Sequence, residues 1–175
     1  KMFFREPSKK QIKELAKAKS ESQNKSFSSL QKKMHNLNSQ LTEIKSSLIN
    51  KKSLNWEDKS SLENFLKDQK KLQNDLEELK NKLAKEMNND QNDRSEDILK
   101  KQEQISKMME ELMSDEMKKL LDELFELAQE MNKEKVLDKL DDIDFSQDNM
   151  IKELDRTIEH FKKMEIEKMA KDISK

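Results

Sequence analysis

Phe27-Ser-Ser-Leu-Gln-Lys-Lys-Met-His-Asn-Leu-Asn-Ser-Gln-Leu-Thr-Glu-Ile-Lys-Ser-Ser-Leu48 places an apolar residue at every third or fourth position. The residues are Phe27, Leu30, Met34, Leu37, Leu41, Ile44 and Leu48, and the steps alternate between three and four without a miss. A second run, Leu62, Phe65, Gln69, Leu72, Leu76, Leu79 and Leu83, repeats the pattern with one polar member. Three heptads of such regularity mark a helix that lays a seam against another helix. Paired antiparallel, each seam residue finds a partner, from Phe27 with Leu83 through Leu41 with Gln69 to Leu48 with Leu62. Both runs are equidistant from residue 55, so a short connection there closes an antiparallel coiled-coil hairpin. The matched part rises about 33 Å at about 1.5 Å per residue.

Composition agrees with long helices. Of 175 residues, 42% are charged and only 32% hydrophobic, and there is no Gly, no Cys, no Tyr and one Pro. Without Gly there is no Gly-rich phosphate loop and no dinucleotide fingerprint. Without Cys there is no disulfide, no thiolate nucleophile and no zinc site of the finger type. High charge with low hydrophobicity also describes disordered chains, but a disordered chain has no reason to keep a heptad register. No run of 18 apolar residues occurs, so no segment reads as a membrane-spanning helix. A first residue of Lys rather than Met reads as a piece of a longer polypeptide.

Helix boundaries follow from capping residues. Asn55 reads as an N-cap, with Glu57 and Asp58 in the first turn where the helix dipole favours them. The polar stretch from Asn88 to Arg94 interrupts the pattern, and Ser95 caps a third helix. Ser146 reads as a further N-cap, with Phe145 and Met150 as its hydrophobic staple. Helices are therefore expected at about 8–51, 55–88, 95–141 and 147–173. The expected fold is all-α: long antiparallel coiled-coil hairpins, four main helices and no β-sheet. Residues 1–7 are an exit from a preceding domain or a linker, 8–88 the first hairpin, 89–94 a polar linker and 95–175 the second hairpin. In the second hairpin Met131 pairs with Leu154, Leu127 with Ile158, Leu124 with Phe161 and Leu121 with Met164. The third helix breaks step between Met109 and Met117, which reads as a stutter or as a kink at Ser114-Asp115. The wide apolar stripe from Leu120 to Met131 faces two neighbours.

Charge is uneven. Residues 1–52 carry a net +9 and residues 95–145 a net −8, against −1 for the chain. A basic helix could track phosphates or an anionic surface, but aromatic residues to stack on bases are missing from it. The acidic third helix offers it an internal partner instead. Pairs such as Glu78/Lys82, Glu103/Lys107 and Asp115/Lys119 have the favourable helical order, worth about 0.2–0.5 kcal/mol each, and read as solvated faces. His35 and His160 lack the acid three residues upstream that a di-iron bundle uses. Trp56 reads as a cover over the hairpin end. The methionines at seam positions read as core filling. The excess around the slipped register, Met108, Met109, Leu112, Met113 and Met117, is the candidate docking surface for a protein partner. No nucleophile stands with a base and an orienting group, so the expectation is a non-enzyme without cofactor, metal or small-molecule substrate.

Met108-Met-Glu-Glu-Leu-Met-Ser-Asp-Glu-Met-Lys-Lys-Leu-Leu-Asp-Glu-Leu124, Glu153-Leu-Asp-Arg-Thr-Ile-Glu-His-Phe161 and Asn55-Trp-Glu-Asp-Lys59 resemble pieces of a group of large, uncharacterised, membrane-anchored envelope proteins of Bacteroidetes-type bacteria. The resemblance implies membrane-spanning helices and a β-sandwich-like region before a long helical region, of which this chain is a segment. Lys1-Met-Phe-Phe-Arg-Glu-Pro7 would then leave the last strand of the sandwich. It also implies the periplasmic side of the inner membrane, with membrane contact only through other parts of the protein, and carries no activity. The resulting expectation is a structural spacer and protein-docking coiled-coil module whose partner is another envelope protein. The alternative is an electrostatic binder of nucleic acid or an anionic surface through the basic helix 9–52.

Overall fold

The computed structural model of the chain describes residues 9–89, 96–111 and 114–173. Five helices, with no strand among the described residues, form four rods: α1 (Lys9–Ile49), α2 (Trp56–Asn89), a third rod made of α3 (Glu96–Glu111) and α4 (Asp115–Gln129), and α5 (Lys133–Ile173). Neighbouring rods run antiparallel. Lys33 meets Asp75 across α1 and α2, and Lys80 meets Glu110 across α2 and α3. Glu123 meets Lys139 across α4 and α5, and Gln31 meets Asp155 across α1 and α5. Each rod touches the two beside it, and the diagonal pairs stay apart. The two hairpins therefore close on each other as one up-down-up-down four-helix bundle.

The first hairpin follows its heptads. Phe27, Leu30, Met34, Leu37, Leu41, Leu48, Leu62, Phe65, Gln69, Leu72, Leu76 and Leu79 are buried, while Ile44 and Leu83 are half-buried against them. Asn55 and Asp58 cap α2 reciprocally. The Asn55 carboxamide oxygen accepts from the Asp58 backbone N–H at 2.8 Å, and the Asp58 carboxylate accepts from the Asn55 N–H at 3.0 Å.

The second hairpin reverses elsewhere than expected. Instead of ending near residue 141 and restarting at Ser146, the chain turns at Glu130-Met131-Asn132, and α5 runs unbroken through Ser146. Helix α4 closes in a Schellman turn: the Asn132 N–H donates to the Leu127 carbonyl, the Met131 N–H to the Ala128 carbonyl, and Met131 takes φ 57°. Asn132 then caps α5 through its side chain onto the Lys135 N–H. Phe145 is no staple; it is 73% exposed, whereas Met150 lies in the core. The expected pairing of Met131 with Leu154 is excluded, because Met131 sits in the turn itself.

The physical reason is a heptad that spans the expected break. Val136, Leu140, Ile143, Gln147, Met150, Leu154, Thr157, Phe161 and Met164 are all buried on one face of α5. Breaking the helix at 142–146 would take half of that seam out of register. In the third rod the kink is the reading realised. Ser114 leaves helical geometry at ψ 140° and its hydroxyl accepts from the Met117 N–H. Ile105 and Met109 precede this break, and Met117, Leu121, Leu124 and Ala128 resume the seam one residue out of phase after it. The slip is absorbed between Glu111 and Asp115, where Ser114 is non-helical. The expected Ser95 cap, the exit at 1–7 and most of the 89–94 linker lie outside the described residues.

Candidate functional site: a polar layer in the bundle core

Two glutamines interrupt the apolar core at one level. Gln69 of α2 is 1% exposed and Gln147 of α5 is 4% exposed. They come from diagonal rods, yet line the same void together with Met34, Leu72, Met150 and Ile151. The void leaves no room for a water molecule. Both amide atoms of Gln69 and the Gln147 Oε1 have no hydrogen-bond partner among the described residues. A buried polar group left unpaired costs about 1–3 kcal/mol, so this layer weakens the core. Thr157, also buried on the α5 seam, shows the contrast. Its short side chain donates back to the Glu153 carbonyl at 2.8 Å, a bond that a glutamine on the seam does not make here.

Ionic and polar clasps hold the rods on the side of the layer that contains the turns. Lys45 reaches Asp141 at 2.7 Å and Asp144 at 2.6 Å. Partial burial disfavours its charge, but hydrogen bonds to the two carboxylates outweigh this and hold the ammonium pKa above its usual value. Lys139 is also raised, chiefly by its hydrogen bond to Glu123 at 2.6 Å. Lys133, at the start of α5, donates to the Ile49 carbonyl at 3.2 Å and to the Lys51 carbonyl, capping the end of α1. Lys51 in turn pairs with the buried Asp58. Lys59 and Glu63 of α2 both bond the Gln129 carboxamide.

These contacts realise the expected charge pairing in part: Asp141 and Asp144 belong to the acidic stretch 95–145, but they stand on α5 and not on the third rod. The basic α1 is diagonal to the third rod and takes its acids from α2 and from the start of α5. Trp56 does not cover the hairpin end; it is 78% exposed, because the cap at Asn55 sets it at the first helical position, facing outward. The candidate docking set is divided. Met109 and Met117 are in the core, Met108 is half-buried, and Leu112 and Met113 lie outside the described residues. In the closed bundle Met109 and Met117 thus face other rods instead of a partner. His35 is exposed and His160 half-buried, and no cluster of metal-ligating side chains occurs among the described residues. Of the expected charge pairs, Glu78–Lys82 forms at 2.8 Å, whereas Asp115 bonds Lys118 in place of Lys119.

Sequence reading found Gln69 but missed Gln147. The signal was available: the tolerance for one polar residue that recognised the α2 seam would have carried the α5 seam from Ile143 through Gln147 to Met150. No family model matches the chain, and no curated protein or solved structure matches it.

Proposed function

We propose that this chain is a non-enzymatic spacer and protein-docking module, a stiff helical rod that sets a distance and presents side surfaces to other proteins. The observation that carries this reading is the continuous core. Seam residues of all four rods face inward from Phe27 and Phe161 at one side of the polar layer to Leu48, Leu62, Ala128 and Val136 at the other. The two helices of 41 residues span about 62 Å at about 1.5 Å per residue, and their closure with the two shorter rods makes the bundle stiff. Charged residues turned outward keep the rod soluble along its sides.

Docking falls to the outer faces, where Phe125 and Phe145 are exposed on acidic helices and Ile49 and Trp56 near the turns. A place in the bacterial cell envelope, on a membrane-anchored protein, is supported by the resemblance of the Asn55, Met108 and Glu153 stretches. Polyanion binding through α1 has less support. Lys33 and Lys45 are engaged by Asp75, Asp141 and Asp144, and much of the outer face from Ser28 to Ser47 is Ser, Thr and Asn.

Cross-linking mass spectrometry on the full-length protein in its own cells tests the proposal. Links from Lys118, Lys119 or Lys135 to another envelope protein are the expected result. Recovery of the chain with nucleic acid, released by salt as counterion-dependent contacts are, would overturn it.

A further inference from the structure

We infer that the Gln69–Gln147 layer is a hinge, about which the half of the bundle remote from the two turns opens while the turn half stays closed. Three features lie together there. Both amide atoms of Gln69 and the Gln147 oxygen lack partners in the closed state and gain them from water on opening. The void that they line, between α1, α2 and α5, is too small for water in the closed bundle, so water reaches the amides only when the rods part. The third rod has its joint close by: carrying the Glu123–Lys139 register eight residues along both helices sets Asp115, the first residue after the Ser114 break, level with Gln147. The Lys80–Glu110 register sets Gln69 level with Leu121, about 9 Å further along the rod at about 1.5 Å per residue. The rod can bend there without breaking helical hydrogen bonds.

The two halves are also held differently. On the turn side both hairpins are closed by short connections, and Lys133 straps α5 to the end of α1. On the other side no loop among the described residues joins α1 to α5, which meet there through the Gln31–Asp155 hydrogen bond and the Phe27–Phe161 contact. Lys33–Asp75 and Lys80–Glu110 tie α2 to its neighbours on that side. Opening there would uncover the Phe27–Phe161 contact and Met109 and Met164 without disturbing the Lys45 and Lys139 clasps. The hinge belongs to the bundle itself and stands whether or not a partner docks.

Hydrogen exchange read by mass spectrometry on the whole chain tests it. Simple fraying would give protection that declines gradually towards the remote end. A hinge gives a step at the layer, with residues 20–33 and 154–165 exchanging at least about tenfold faster than 37–48 and 136–146. In the double variant Gln69→Leu/Gln147→Leu the step should shrink, with the remote half gaining about tenfold in protection. A gradual decline in the native chain, or a step unchanged in the variant, overturns the proposal. Because the chain has no Cys, spin-label pairs give a second readout that leaves the core intact. Labels at Lys25→Cys and Lys163→Cys should show a second, longer distance, and labels at Ser47→Cys and Asp138→Cys a single one. Single distances for both pairs would also overturn it.

Discussion

Phe27 and Phe161 meet across the boundary between the two hairpins, with ring centroids 5.1 Å apart and planes inclined at 47°. Both rings are buried, so they join α1 to α5 at the side of the bundle where no turn does so. Phe161→Ala should lower stability by about 3–5 kcal/mol. A double-mutant cycle with Phe27→Ala should show a coupling of about 0.5–1.5 kcal/mol. Denaturant unfolding of the four proteins measures both quantities. Strictly additive losses would mean that the rings do not meet in solution.

Met131 occupies the left-handed position of a Schellman turn in a chain without glycine. A side chain there strains the backbone by about 1–2 kcal/mol. Met131→Gly should relieve this, less the extra freedom that Gly gives the unfolded chain, for a net gain of up to about 1 kcal/mol. Met131→Val should do the opposite. Thermal melts of the two variants, compared with the native chain, decide whether the reversal lies at this residue.

Asn132 and Ser146 separate the two possible starts of the last helix. Because Asn132 caps α5 and Ser146 is inside it, Asn132→Ala should cost about 1 kcal/mol. Ser146→Ala should leave stability unchanged or slightly raised, since Ala is the better helix former. Phe145→Ser should also stay within about 0.5 kcal/mol, as expected for an exposed side chain. If Ser146→Ala were the damaging change, the hairpin would reverse near residue 144.

Lys45 gives the bundle a pH dependence of known sign. Its folded pKa lies above the ordinary lysine value, so its contribution is complete below that value and is lost as the pH rises through the folded one. Lys45→Met should therefore destabilise at neutral pH by no more than about 1 kcal/mol, because Asp141 is largely solvent-exposed. The difference from the native chain should close as pH climbs above about 10.4. Urea melts of both proteins from neutral to strongly alkaline pH would show it; a gap that persists at high pH would assign the loss to packing.

The all-helical class, the first hairpin, its register and the Asn55 cap were legible in the amino-acid order. Each rests on interactions within one helix turn or between two seams of equal length on either side of one short loop, and such local patterns leave few alternatives. The candidate site was half legible: Gln69 stood out as one polar member of a seam, while Gln147 was hidden because a strong local signal, Phe145-Ser-Gln-Asp-Asn-Met150, suggested a helix start. Tertiary packing overruled that signal. Burying Val136, Leu140 and Ile143 in one seam with Met150 and Leu154 outweighs one cap and one staple, and so moved the reversal to Met131. Only the closed bundle decides which rods are neighbours, that α1 draws its acids from α2 and α5, and that Gln69 and Gln147 share a void. Those facts depend on residues about 40 to 130 positions apart meeting in space, and periodicity along one helix cannot specify which other helix it will face.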